Sequence, residues 1–207
     1  MDFGVGKFSR DAQSVRNSLT HLDTLTLSMR YQEHVRASKA LSLVWMAAAI
    51  ERFWKSYLSE LCDRVVRSSL SKRRRHIASA GIFYFDTLSS LGEGKKLKRW
   101  GRLADFFVDL PRGAPHVVAI PYDGRTVRPD HFDLVWRIFS LPGNQFPSPV
   151  HKQVLNTLAD RRNDVAHGLV DLQSIGGSVT VGDLRELIEK LEDIVEHSVI
   201  CAGQQWP

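Results

Sequence analysis

The chain has 207 residues, 43% of them apolar and 25% charged, a balance that supports a buried core and excludes a disordered polymer. Its net charge of +5 is mild, and its 2 cysteines, Cys62 and Cys201, offer neither a disulfide framework nor metal-ligand spacing. The longest apolar run, Leu43 to Ile50, is far short of the ~20 residues that cross a membrane, and an N-terminus carrying Asp2, Lys7 and Arg10 lacks the apolar stretch of a secretory signal. A reducing cytoplasm is the expected location.

The first predicted helix covers about Asp11 to Met29, with Ala12, Val15, Leu19, Leu22 and Leu25 at three-four spacing. The second is long, about Glu33 to Leu70. Its stripe is Ala40, Val44, Ala47, Trp54, Leu58, Leu61 and Val65, and Glu51 falls inside that stripe. From Ser71 the pattern is mixed. Short helix candidates occur at Ile82–Leu91 and Leu103–Leu110, a short strand at Val117–Ile120 and a turn at Tyr122-Asp123-Gly124. This stretch reads as an insertion, about 71–127, within one domain spanning 1–207.

Pro129 suits the first turn of a helix reaching about Leu141, where Pro142-Gly143-Asn144 stops it. Pro147 and Pro149 mark a loop into a helix from about Val150 to His167. Gly176-Gly177 reads as a turn. Thr180-Val181-Gly182-Asp183 fits a capping box opening a last helix to about Ile200, with Leu184, Leu187, Leu191, Ile194 and Val195 inward. Helical segments dominate, so the fold class is mostly α, a helical bundle.

Two basic clusters, Lys72-Arg73-Arg74-Arg75-His76 and Lys95-Lys96-Leu97-Lys98-Arg99-Trp100-Gly101-Arg102, concentrate the positive charge and would attract a polyanion. Trp100 among these cations could stack on a base. Gly92-Glu93-Gly94-Lys95 is not a phosphate loop, because Ser89 stands where the spacing needs a glycine.

The chemistry concentrates in Arg162-Asn163-Asp164-Val165-Ala166-His167-Gly168. The stripe of that helix is Leu155, Leu158, Arg162, Val165 and Leu169, so the arginine takes a core-facing slot. An unpaired buried guanidinium is costly. The position therefore calls for an acidic partner such as Glu51, a subunit interface or an anionic ligand. Asn163 and His167 lie four apart on a second face, where the amide can orient the imidazole. From spacing alone a structural role is the more ordinary explanation, since an arginine and a histidine at this separation arise often by chance. A histidine before a helix-ending glycine is favoured by the helix dipole, and Asp164 could pair with it.

Arg162 through His167, late in a helical chain and with polar Asn163 after the arginine, resembles the Arg-x4-6-His signature of the HEPN superfamily. The acidic-aromatic helix Ala48-Ala49-Ile50-Glu51-Arg52-Phe53-Trp54-Lys55-Ser56-Tyr57-Leu58 is similar to that of its RiboL-PSP and MAE_28990 groups. The run from Arg128-Pro129-Asp130-His131-Phe132 to Phe139 also fits. The resemblance covers about 36–70 and 128–199.

It implies a bundle that forms a homodimer with its active site at the interface, and a metal-independent endoribonuclease needing no cofactor. In the implied reaction His167 moves the proton of a ribose 2′-hydroxyl or of the leaving 5′-oxygen. Arg162 stabilises the scissile phosphate, Asn163 orients or assists, and Glu51 supports. RNA would be contacted by Arg161, Arg73, Arg74, Lys98 and Arg99. A toxin-antitoxin or phage defence role, with an antitoxin or regulatory partner, follows from the same resemblance. So does the alternative of a non-catalytic RNA-binding or protein-interaction module. Leu169 stands where members silenced by nucleotide transfer carry a tyrosine, so that form of control is not implied.

Overall fold

A computed structural model describes residues 3–25, 31–69 and 120–207. The helix candidates at Ile82–Leu91 and Leu103–Leu110, most of the strand at Val117–Ile120, and both basic clusters with Arg73, Arg74, Lys98, Arg99 and Trp100 lie outside the described residues. The described residues form six α-helices and no strand. The chain is thus mostly α, a helical bundle, and no helix among these residues is long and apolar enough to cross a membrane.

Helix α1 (Val5–Leu25) starts six residues before the predicted Asp11, because Phe8 extends the apolar stripe by another turn. Phe8, Ala12, Val15, Leu19 and Leu22 are buried against α2 (Gln32–Arg67), and Phe8 meets Phe53 edge-on at 6.1 Å. α2 is the spine of the bundle. Buried residues surround it for most of its length, from Val35 to Val65. A helix apolar on more than one side must be covered on more than one side.

The cover comes from the C-terminal half. Helix α3 (Pro129–Phe139) inserts Phe132 against Trp54, with ring centres 4.2 Å apart. Helix α4 (Pro149–Ala166) carries the Arg162–His167 motif and packs on α2 through Leu155 and Leu158. Helix α6 (Val181–Gln205) contacts α1, α2 and α4. Its Thr180–Asp183 capping box forms as the sequence indicates, and it runs one turn past the predicted Ile200. That extra turn brings Trp206 into the core, where its indole N–H donates to the Phe139 carbonyl at 2.9 Å. A bidentate pair from Arg16 to Glu192, each side chain about a third exposed, ties α1 to α6, and a pair this near solvent adds about 1 kcal/mol.

Gly176-Gly177, read from sequence as a turn, instead closes a short helix α5 (Leu172–Gly177). Asp171 starts it by accepting from the Gln173 and Ser174 amides at 3.0 and 3.2 Å. The glycine is required by proximity: a Cβ on Gly176 would lie 1.7 Å from the Arg36 carbonyl oxygen of α2. Two backbones approach this closely only without a side chain between them.

Candidate functional site

The motif helix α4 ends with a left-handed residue. Gly168 has φ of 62°, its amide donates to the Val165 carbonyl and the Leu169 amide reaches back to Asp164 at 3.0 Å. This is the Schellman ending, which glycine adopts without steric cost. It overturns the expectation that the apolar stripe continues to Leu169. The chain leaves the helix before that turn is complete, and Leu169 is 71% exposed. His167, the last residue before the glycine, is exposed too. Among the described residues neither of its ring nitrogens has a hydrogen-bond or ion-pair partner.

Arg162 is not a core residue. Its side chain is 33% exposed, and its Nη2 lies 3.7 Å from Glu51 Oε1 on α2. That separation gives charge compensation without a hydrogen bond. The sequence anticipates this pair. Its placement within one chain means that Arg162 does not require a subunit interface to be tolerated. The arginine's one hydrogen bond among the described residues is a long one, 3.4 Å from Nη1 to Asn163 Oδ1. Most of its five N–H donors are therefore uncommitted.

Asn163 does not orient His167. Its carboxamide oxygen accepts from the Thr126 hydroxyl at 3.1 Å, in the loop before α3. The reason is tertiary. That loop lies against the end of α4, and a hydroxyl there competes successfully with a neighbour one helical turn away. Asp164 makes no pair with His167 either.

Together these elements wall a cleft of about 880 Å³ lined by Arg162, Asn163 and His167 on one side and by the 120–131 segment on the other. Its size falls near the top of the ~300–1,000 Å³ usual for ligand sites. Arg125 and Arg128 line it as well, and both escaped the sequence reading. Arg125 is 85% exposed and only loosely paired to Asp123, at 3.6 Å. Arg128 is paired to Asp160 at 2.7 Å. The run Arg128-Pro129-Asp130-His131 was visible, but nothing in it shows that it faces the motif. Arg161, expected to touch RNA, does not line this cleft. It lines a separate cavity of about 340 Å³ with Leu43, Leu158 and Leu187.

The facing wall is fixed in place by its own hydrogen bonds. His131 Nδ1 accepts from the Arg128 amide at 3.0 Å, so the ring proton sits on Nε2 and points at Asp123 Oδ1, 3.2 Å away. With both nitrogens used, His131 caps α3. The Asp123 carboxyl is held below its ordinary range, first by the Arg125 amide and then by His131. Tyr122 is half-buried beside it, and burial, reinforced by the charges of Glu51 and Asp123, pushes its phenol up. Among the described residues no three His, Cys, Asp or Glu side chains gather to hold a metal ion.

Among the described residues, the fold and site define a helical bundle with a cleft that joins three arginines to one unpartnered histidine. No family model, curated protein or solved structure matches the chain.

Proposed function

We propose that the protein is a HEPN-type endoribonuclease that cuts RNA without a metal, in the cytoplasm, as a toxin or in antiviral defence. The observation that carries this reading is His167, exposed and without a partner among the described residues, in one cleft with Arg162. A free imidazole takes the proton from a ribose 2′-hydroxyl. The 2′-oxygen attacks phosphorus and forms the 2′,3′-cyclic phosphate. The protonated ring then returns the proton to the departing 5′-oxygen, leaving a 5′-hydroxyl. Arg162 supplies its free N–H fork to the phosphoryl oxygens as negative charge grows on them. Glu51, close but not hydrogen-bonded, holds the guanidinium at the wall without occupying that fork. Arg125 and Arg128 extend the positive surface along the cleft, which suits a strand with several phosphates.

A homodimer is part of the same proposal. Leu169 and Val170, which follow Gly168 at the end of the motif, are exposed and give it an apolar patch that a second copy would cover. An antitoxin or other regulatory partner is an alternative occupant.

Purified protein incubated with single-stranded RNA and chelator should give cyclic-phosphate ends, and His167→Ala should abolish them. Equal cleavage by the variant removes His167 from the mechanism. A second reading, a non-catalytic RNA-binding or interaction module, is favoured by one observation. No side chain among the described residues backs the His167 ring to fix its tautomer. It predicts RNA binding without turnover, little changed in His167→Ala.

A further inference from the structure

We propose that Thr126 is a positioning residue: its hydroxyl holds the Asn163 carboxamide so that the amide N–H2 group, not the oxygen, is presented to a phosphate in the cleft. The proposal rests on the phosphodiester reading above and assigns that site a further donor.

The orientation of an asparagine amide follows from what surrounds it. Arg162 Nη1 lies 3.4 Å from one terminal atom of Asn163, and a guanidinium has no acceptor, so that atom is the oxygen. The Thr126 hydroxyl, 3.1 Å from the same oxygen, must then donate to it. Two donors fill the two lone pairs of the oxygen. The N–H2 group has no acceptor among the described residues, yet it is not among the buried unsatisfied atoms, which are Glu51 Oε1 and Trp54 Nε1. It therefore keeps some accessible surface, on a half-buried residue that lines the cleft. Such a group suits an anion: two N–H donors and no acceptor to repel it.

The shared oxygen does a second thing. Consecutive helical residues point about 100° apart, since 3.6 residues complete a turn. Arg162 and Asn163 would diverge on that basis. Both the guanidinium and the hydroxyl converge on Asn163 Oδ1, which brings the charged fork and the amide to one place.

Thr126 can act this way because its loop is held. Val127 beside it is fully buried, the Tyr122 hydroxyl donates to the Arg125 carbonyl, and the Arg125 amide donates to Asp123 at 3.0 Å. A threonine on a loose loop would follow the amide, whereas one on a fixed loop directs it.

The test uses the full chain carrying Thr126→Val, which keeps shape and removes the donor, and Thr126→Ser, which keeps the donor. Thr126→Ala serves if valine disturbs folding, judged by circular dichroism. Two readouts apply: titration with inorganic phosphate, followed through the Asn163 side-chain amide signals by NMR, and kcat and KM on RNA. Loss of one hydrogen bond should weaken phosphate binding about fivefold in Thr126→Val and Thr126→Ala. The fall in kcat should be comparable or larger, and Thr126→Ser should lie near the parent. Asn163→Asp, which replaces the donors with a charged oxygen, should lose phosphate binding almost entirely, read for this variant through the Gly168 backbone amide signal. Parent-like phosphate binding in the valine and alanine variants overturns the proposal, as does a serine variant as impaired as valine. If the parent cuts RNA, His167→Ala is inactive and Thr126→Val is unchanged, only this proposal falls. If the parent cuts no RNA but the phosphate series holds, the positioning role stands and the ribonuclease reading falls.

Discussion

The motif helix α4 carries a histidine near each end, and the two have opposite surroundings. At the start, His151 is 6% exposed and held at both nitrogens, with the Ser148 hydroxyl 2.8 Å from Nδ1 and the Asp193 carboxylate 3.0 Å from Nε2. At the end, His167 is exposed with neither nitrogen engaged among the described residues. One ring pins α4 to α6. The other is available to a substrate. A serine, a histidine and an aspartate in hydrogen-bonded sequence resemble a nucleophile relay, but Ser148 precedes Pro149 at the helix start, and the chain of bonds caps and docks that start. His131 at the start of α3 repeats the design, with Pro129 before it and Asp123 behind. Hydrogen bonds at both nitrogens therefore mark the structural histidines here.

The largest effect should come from swapping the test between the ends. His167→Ala is expected to lower RNA cleavage by about 10²–10⁴-fold, the range for a lost general base, with an unchanged melting temperature. His151→Ala should do the reverse. It removes the ring that links Ser148 to the half-exposed Asp193 and should cost about 1 kcal/mol, read as a lower denaturant midpoint, while kcat per folded molecule is retained. A stability loss in the first variant or selective loss of catalysis in the second would erase the distinction.

Gly168→Ala sharpens it further. An alanine at a φ of 62° is strained by roughly 1–2 kcal/mol, so the C-terminal turn should loosen and His167 with it. Chemical denaturation measures the first effect, and hydrogen exchange at Leu169 locates it.

Glu51→Gln is smaller. The Glu51–Arg162 pair is long and partly exposed, so stability should change by less than ~1 kcal/mol. Removing the negative charge should tighten inorganic phosphate binding a few-fold, measured by calorimetry. Weaker binding would mean that Glu51 is needed to hold the guanidinium in place.

The smallest expected effect is in acid. Asp123 titrates below its ordinary value of 3.8, so its bonds stabilise the cleft wall fully above the unfolded value and are lost as pH falls through the folded one. The NMR signals of Gly124 and Arg125 should shift below pH 4, and Asp123→Asn should remove that transition.

Much of the fold was legible because period and punctuation agree. Pro129 starts α3 and the Thr180–Asp183 box starts α6, each as the pattern indicates, while Pro149, read as the end of a loop, is itself the first residue of α4. The α5 helix was not legible, since two glycines signal a turn unless the proximity of Arg36 is known. At the site, Arg162 with Glu51 could be anticipated from two charges on apolar stripes. Thr126, Arg125 and Arg128 could not, and Arg161, expected to touch RNA, lines a different cavity from the motif's cleft.

The sequence determined the helices, their inward faces and the motif, because these depend on local periodicity and on residues that cap or break a helix. Tertiary structure decided which atoms meet. It turned Asn163 toward Thr126 instead of His167, gave Arg162 an acidic neighbour at 3.7 Å, and left His167 without a partner among the described residues at the edge of a cleft. Side-chain hydrogen bonds form with whatever lies within about 3 Å, and across helices that distance is set by packing, not by separation along the chain.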